Sequence, residues 1–470
     1  MLGLYLIRYT LAIFLNYKNL GKHYRLNFVI YQLLNTEQSP ERSKLMNASI
    51  ADVIVIGAGQ AGLSISYHLK ELHLDHIVFD QGKIGDSWRN QRWDSFRLNT
   101  PNKFNLLPGQ ENVFSDAEGF SSASDFVYLL EDYCRKFDLP VIENAKVLSV
   151  EYVSGSKYFS VYVFENGSAR YYLSKQVVIA SGGQNRKNIP SFAKNISEEV
   201  LQLHTCEYRN ASLLPEGAVL IVGSAQSGVQ IAEDLIESGR RVFISTSEVA
   251  RVPRRYRGKD IVDWLMLTGF NDVRTKDVVD HQILTMKQPQ ASGVGIRGHT
   301  VSLQSLARKG VVILGKIETA DAAKVLIQPN VAFHVKFADE FSGKMKGMID
   351  EYIQRSGLQA PPAEKDIDDQ PDETAACASA VASLRLKENN ITSIIWTTGF
   401  TGDFSYLKLP AFNENGMLRH SDGISDIEGL YFLGLPWLRK RKSGIILGIM
   451  EDARFIAEKL MAKSGNQNTG

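Results

Sequence analysis

Cysteine is scarce: Cys134, Cys206 and Cys377 are the only three in 470 residues, and they lie far apart. They form neither a Cys-x-x-Cys redox pair nor a metal-ligand spacing, which argues against disulfide reductase chemistry and makes the cytoplasm the expected compartment. An excess of one charge is also missing, since 53 Lys and Arg stand against 52 Asp and Glu. A formal net charge of +1 offers no broad field for nucleic acid or an anionic membrane. Long apolar runs are absent too. The stretch from Leu2 to Leu15 is short and broken by Arg8 and Thr10, so no transmembrane segment is expected. His68, His73 and His76 are close in sequence but not at i, i+4 spacing, and no metal site is predicted.

What remains is an ordinary globular composition, 44% hydrophobic and 22% charged, in a chain long enough for two or three domains. Residues 1–47 stand apart, with six Lys/Arg against two acids. They read as a basic, apolar extension, dispensable to the fold, with weak membrane-surface contact as the alternative.

Two glycine-rich turns carry most of the functional information. The first follows the apolar run Val53-Ile54-Val55-Ile56 and reads Gly57-Ala58-Gly59-Gln60-Ala61-Gly62. The second follows Val219-Leu220-Ile221-Val222 and reads Gly223-Ser224-Ala225-Gln226-Ser227-Gly228. A strand, a glycine turn and a helix start together present backbone N–H groups and a positive helix end to a pyrophosphate. Two such units predict two dinucleotides. After the first turn, the strand His76–Phe79 ends at Asp80, roughly twenty residues past Gly57, where a carboxylate can accept from both hydroxyls of an adenosine ribose.

The second turn differs. Ala225 replaces the middle glycine, and the following strand ends in Ser245-Thr246-Ser247 rather than an acid. Arg251, Arg254 and Arg255 come next. Hydroxyls followed by arginines suit a 2′-phosphate, so Gly223, Ser224, Gln226, Ser227, Gly228, Thr246, Arg251, Arg254 and Arg255 are expected to bind NADPH. A solvated basic loop is the alternative for the arginines.

The coarse order supports an α/β architecture. A helix is predicted over 124–137, strands over 147–153, 158–164 and 169–173, and a buried strand from Gln176 to a turn at Gly183. A second βαβ unit starts near Gly217, and an apolar helical face runs from Phe337 to Ile353. The acidic, proline-containing segment 360–373 reads as a mobile loop. Buried strands ending at glycine turns return at Ser393–Phe400 and Gly429–Pro436. The expected division is an extension over 1–47, an FAD-binding first part over 48–200, an inserted NADP-binding domain over 201–330, and a return to the FAD domain over 331–470. Both dinucleotide-binding domains are expected to be Rossmann-like.

Taken in order, several motifs resemble those of class B flavin-containing monooxygenases, and most closely bacterial flavoproteins labelled as involved in K⁺ transport. They are the first glycine turn, Gly85-Asp86-Ser87-Trp88-Arg89, Phe96-Arg97-Leu98-Asn99-Thr100-Pro101, the second glycine turn, Trp396-Thr397-Thr398-Gly399-Phe400, and Gly429 to Trp437. The resemblance implies an enzyme in which NADPH reduces FAD, reduced flavin reacts with O₂, and a C4a-peroxyflavin oxygenates a small nucleophilic or carbonyl-bearing metabolite. It places Gly57, Gly59, Gln60, Gly62 and Asp80 at the ADP part of FAD, and Trp88 and Asn99 near the isoalloxazine. Gly434, Ser443 and Gly444 fall at the flavin end, and Thr398 and Gly399 are expected to bind a cofactor. Asn99 is the implied catalytic residue, its amide orienting peroxide or nicotinamide, with a local turn-forming role as the alternative.

Departures from the family pattern are specific. In the segment ending His204-Thr205-Cys206-Glu207-Tyr208, Glu198 and Val200 replace the fingerprint Phe and Gly, and Tyr208 argues against a Baeyer–Villiger reaction. His204 is expected to hold an interdomain hinge. An uncoupled NADPH oxidase and a non-enzymatic flavin sensor or regulator of ion transport are the rival readings. Oligomeric state is left open.

Overall fold

A computed structural model describes residues 50–111, 114–153, 156–286, 288–290, 293, 295, 297–372 and 381–466. The expectation for residues 1–47 lies outside the described residues, as does Cys377.

The chain builds two Rossmann-like units side by side. In the first, β1 (Ile50–Ile56) pairs in parallel with β2 (His76–Phe79) on one side and with β3 (Ser168–Ile179) on the other. Leu430–Phe432 adds in parallel to the far side of β3, and the whole sheet has nine strands. Val53, Ile54 and Val55 of β1 are fully buried, as expected for a central parallel strand covered on both faces. α1 (Gln60–Glu71) follows the first glycine turn. It packs with the C-terminal helix Ile446–Asn466, whose Ile449, Ala453, Ile456 and Leu460 share its core cluster.

The three-strand meander is antiparallel, Lys146–Tyr152 with Phe159–Glu165 and then β3. The stretches 169–173 and 176–179, expected as separate strands, are one continuous strand. Its first half pairs in the meander and its second half runs between β1 and Leu430–Phe432. The helix predicted over 124–137 is Ala123–Lys136, started by a capping box between Ser122 and Asp125.

The second unit is a five-stranded, all-parallel sheet. Its order is β6 (Val312–Leu314), β5 (Val242–Ser245), β4 (Ala218–Val222), then Ile391–Trp396 and Leu201–His204. α2 (Gln226–Glu237) follows the second glycine turn. This arrangement corrects the expected boundary at residue 330. Ile391–Trp396 lies inside the second sheet beside β4, and Ser383–Arg385 closes a three-stranded antiparallel sheet with Ile317–Ala320 and Lys324–Ile327. The chain therefore returns to the first unit only after Trp396. An apolar run before a glycine turn looks the same in either sheet, and backbone pairing decides which sheet takes it.

The acidic loop is also tied down rather than mobile at Asp369. That side chain is buried and accepts from Ser342 Oγ at 2.9 Å and from Lys346 Nζ at 2.7 Å. Its partners lie on the helix Val331–Ser356, too distant for local composition to reveal.

Candidate functional site

The carboxyl ends of the two parallel sheets face one cleft, the place where open α/β sheets bind ligands. Its volume is about 730 Å³, and its walls include Gly57, Gly59, Gln60, Asp80, Trp88, Asn99, Gln226, Ser227, Gly434 and Gly444. Residues from both glycine turns thus share one chamber.

The first turn owes its shape to missing side chains. Gly57 sits at φ +107°, and a Cβ there would lie 2.5 Å from the Ala180 carbonyl oxygen. A Cβ on Gly62 would fall 1.7 Å from the Gly57 carbonyl oxygen, so α1 can cross the turn only with glycine there. Gly59 is different. Nothing lies within 4 Å of where its Cβ would be, and the residue borders the cleft. No side chain caps α1, in contrast to the capped helix Ala123–Lys136. An uncapped helix start opening on free space fits an anionic pyrophosphate.

Asp80 stands at the tip of β2. Its Oδ2 accepts from Ala58 N at 2.7 Å and its Oδ1 from Gly82 N at 2.9 Å, which locks strand tip to glycine turn. Burial pushes its carboxyl up, against the pull of these backbone donors. A carboxylate has about four acceptor positions, so both oxygens keep capacity for ribose hydroxyls. Trp88 Nε1 donates to Gln60 Oε1 at 2.9 Å, fixing the indole against the first helical turn. These residues fit FAD by geometry: open space at Gly59, an uncapped helix, and an acid at the strand tip.

At the other end, Gly434 and Gly444 are close-packing positions. A Cβ on Gly434, at φ +75°, would lie 2.7 Å from Ala61 Cβ, and one on Gly444 would lie 2.8 Å from Pro436 N. Ser443 does not line the cleft. It is fully buried, and its Oγ accepts from Arg439 N and Lys440 N at 3.1 and 3.0 Å, closing the turn before the last helix. The expected flavin contact by Ser443 is replaced by this turn-closing role, because two backbone donors already converge on the hydroxyl.

The second turn repeats the scaffold. Gly223 is at φ +113°, and a Cβ on Gly228 would fall 2.1 Å from the Gly223 carbonyl oxygen. Ala225 stands at the N-cap of α2, again with no side-chain cap. Gln226 and Ser227 border the cleft, whereas Ser224 is buried, accepting from Ser247 N at 3.0 Å and, through its carbonyl, from the Gln290 amide. Thr397, which the sequence reading passed over, donates from Oγ1 to the Gly223 carbonyl at 2.8 Å. Thr398 and Gly399 sit at the hinge: Thr398 Oγ1 donates to Asn188 O, and Gly399 O lies 2.9 Å from His204 Nε2. His204 is completely buried, and burial lowers its pKa, which suits a hinge-holding imidazole.

The arginines expected to hold a 2′-phosphate are otherwise engaged. Arg251 is buried and bonds Asp339 Oδ1 through Nε and Nη2 at 2.9 and 2.7 Å, and Asp369 through Nη1. Arg254 is buried against Asp260, with Nε–Oδ2 at 2.8 Å, and its Nη1 donates to the Asn99 carbonyl at 3.0 Å. Arg255 is exposed and donates to the Arg297 and Gly298 carbonyls at 2.7 and 3.2 Å. Thr246 is buried, donating to Leu314 O at 2.8 Å beside His334 Nδ1. None of the four borders the cleft. Distant acids claim Arg251, the nearby Asp260 claims Arg254, and backbone carbonyls take Arg255.

Asn99 is placed between the units. Its Oδ1 accepts from Gln230 Nε2 of α2 at 3.1 Å, while Arg254 holds its carbonyl. It is therefore more than a turn residue before Thr100-Pro101, because both its side chain and its backbone are bonded to the second unit. The cleft wall also includes residues the sequence reading did not single out, among them Gln91, Arg92, Trp93 and Thr205. Among the described residues, no group of three or more His, Cys, Asp or Glu is placed to hold a metal, and no helix is long and apolar enough to cross a membrane.

Comparison with known proteins agrees with this architecture. A family model described as pyridine nucleotide-disulphide oxidoreductase matches residues 54–280, which span both glycine turns. A CzcO-like oxidoreductase of Geobacillus kaustophilus is 32% identical over 415 residues, covering 88% of this chain and 99% of that protein. Among solved structures, a flavin-containing monooxygenase from Stenotrophomonas maltophilia superposes with a TM-score of 0.58 at 18% identity, covering 88% of this chain and 99% of its own. OTEMO in complex with FAD and NADP gives a TM-score of 0.52 at 13% identity, with 90% and 87% covered.

Proposed function

From the premise that the chain belongs to the CzcO-like oxidoreductases, we propose that it is an FAD- and NADPH-dependent monooxygenase acting on a small nucleophilic or carbonyl-bearing metabolite. The observation that carries the reading is the single cleft bordered by both uncapped helix starts, with Asn99 bonded across it. The residues at the two helix starts would hold FAD and NADPH in one shared cleft, and FAD held there would supply redox chemistry between NADPH and O₂.

The chain's own residues do the positioning. Gly59 and the α1 amides receive the FAD pyrophosphate, and Asp80 orients the ribose. Gln226 and Ser227 bring the start of α2 to the NADPH pyrophosphate. The preference for NADPH over NADH rests on Ser245-Thr246-Ser247, which put no acid at the strand tip. Asn99, held by Gln230, presents its amide to the reacting end of the cleft, where one oriented donor is worth about 2.7–4 kcal/mol when it acts on developing charge.

The test measures NADPH oxidation with and without candidate thioether, amine and ketone substrates, with hydrogen peroxide followed in parallel. Substrate-dependent loss of peroxide supports oxygen transfer, and stoichiometric peroxide under every condition supports an oxidase instead. Asn99→Leu is expected to be reduced by NADPH within about tenfold of the wild-type rate while releasing more of its reducing equivalents as peroxide. Unchanged peroxide yield returns Asn99 to a purely structural role.

A further inference from the structure

The cleft wall holds a cation and several buried polar atoms that have no acid or hydrogen-bond partner among the described residues. Arg92 lines it and forms no ion pair among the described residues. Its guanidinium stacks over Trp88 at 4.7 Å and Phe96 at 5.3 Å, and Nη1 donates to the Gln91 carbonyl at 3.1 Å. A guanidinium has five N–H donors in a planar fork, so stacking occupies its faces and leaves its edge. Burial without a counter-charge pushes its pKa down to about 10, so it stays cationic at neutral pH.

Three neutral polar atoms on residues that line the same cleft are buried without partners among the described residues: Trp93 Nε1, Thr205 Oγ1 and Gln91 Oε1. Trp93 and Thr205 are each only 4% exposed, and all three residues line the cleft. Trp93 packs edge-on against the same Phe96 ring, 5.0 Å away. Thr205 precedes Cys206, and burial pushes that thiol's pKa up and keeps it neutral. Buried polar atoms are partnered in most native proteins, and several exceptions in one cleft with an unpaired cation call for a ligand.

We propose that this part of the cleft is a subsite for a small carboxylate bearing a neighbouring hydroxyl or ammonium group. Arg92, Trp93 Nε1 and Thr205 Oγ1 donate to the carboxylate, and Gln91 Oε1 accepts from the adjacent donor. A pyrophosphate fits less well, because it has no proton to offer Gln91 and its expected place is the start of α1 or α2. The proposal rests on the cleft being the reaction chamber and names the class of substrate that enters it.

The experiment measures binding, not turnover, in flavin-loaded protein, using the matched probes 3-phenyllactate, 3-phenylpropionate and 3-phenylpropanamide. Perturbation of the flavin spectrum and quenching of tryptophan fluorescence report affinity. NADP⁺ affinity, flavin content and thermal stability are recorded on the same samples. Wild type is expected to prefer phenylpropionate over the neutral amide by at least tenfold, with phenyllactate tighter still. Arg92→Met should abolish the preference for the anions, Arg92→Lys should restore part of it, and Gln91→Leu should remove only the advantage of the hydroxyl. NADP⁺ affinity should stay within about threefold throughout. Equal binding of acid and amide by wild type overturns the proposal. So does a tenfold loss of NADP⁺ affinity in Arg92→Met, which would assign the guanidinium to the dinucleotide. Colourless protein, or absence of NADPH oxidation, is read separately and counts against the monooxygenase reading instead.

Discussion

The two glycine turns are built on one plan and stabilised in different ways. Both require glycine at the third position, where a Cβ would meet the first glycine's carbonyl oxygen at 1.7 Å in one turn and 2.1 Å in the other. They diverge at the middle position, where Gly59 leaves open space and Ala225 already carries a side chain. They diverge further in what surrounds them. Asp80, through backbone donors, braces the first turn, whereas the chain after β5 is fastened by buried ion pairs on Arg251 and Arg254 and by Glu233 on α2. Both turns are shaped by omission of side chains, and the chain after the second adds buried charge pairing.

The largest expected effect tests the fastening. Arg251→Met strips Asp339 of its cation and leaves buried Asp369 with Lys346 alone, which should destabilise by about 3–5 kcal/mol by chemical denaturation. The ratio of NADPH to NADH affinity in protein that remains folded should not change. A selective loss of NADPH binding at unchanged stability would restore the arginine to the phosphate site.

Next comes the feature the turns share. Gly62→Ala and Gly228→Ala should each cost about 3 kcal/mol, because the new methyl meets backbone rather than a movable side chain. Only Gly62→Ala should also leave the purified protein without its yellow flavin. Equal flavin content in the two variants would blur the assignment of one cofactor to each turn.

The middle position gives a smaller and more selective effect. Gly59→Ala copies the second turn into the first, and with nothing within 4 Å the fold should lose less than about 1 kcal/mol. Flavin affinity should fall about tenfold, since the methyl enters the space assigned to the pyrophosphate. Equilibrium dialysis that finds unchanged affinity would place the phosphates elsewhere.

The smallest effect concerns the charge pairing on α2. His299 Nε2 lies 2.8 Å from Glu233 Oε1, and Glu233 holds the imidazole pKa above its ordinary value. A raised folded pKa means that protonated His299 stabilises fully below the unfolded value of about 6.5, and that this contribution disappears as pH rises through the folded pKa. The imidazole is 37% exposed, so solvent screening keeps the effect below about 1 kcal/mol. The stability gap between wild type and His299→Gln should therefore be wider at pH 5.5 than at pH 9 in paired urea titrations. A gap that widens with pH would mean the pair does not contribute in this way.

The fold was largely legible because its signals are local. Apolar strand, glycine turn and helix succeed one another within a few residues at Val53–Gly62 and Val219–Gly228, and Asp80 follows at the distance that one βαβ unit imposes. The place of Ile391–Trp396 was not legible, since any buried parallel strand reads the same until it has neighbours. Nor was the engagement of Arg251 with Asp369, which sit far apart in sequence. Ser443 looked like a cofactor contact through the family resemblance, yet two backbone amides converge on its hydroxyl. Arg92 gave a weak signal at most: an arginine four residues after Trp88, followed by Trp93.

The sequence by itself determined the two turns, the helices that start from them and the acid at the tip of β2, because these depend on steric rules acting over a few residues. Tertiary structure alone decided which arginines are neutralised, that Asn99 spans the two units, and that Arg92 has no acid partner among the described residues. Those outcomes depend on which charges and amides are brought within about 3 Å of one another, and the sheet pairing sets that.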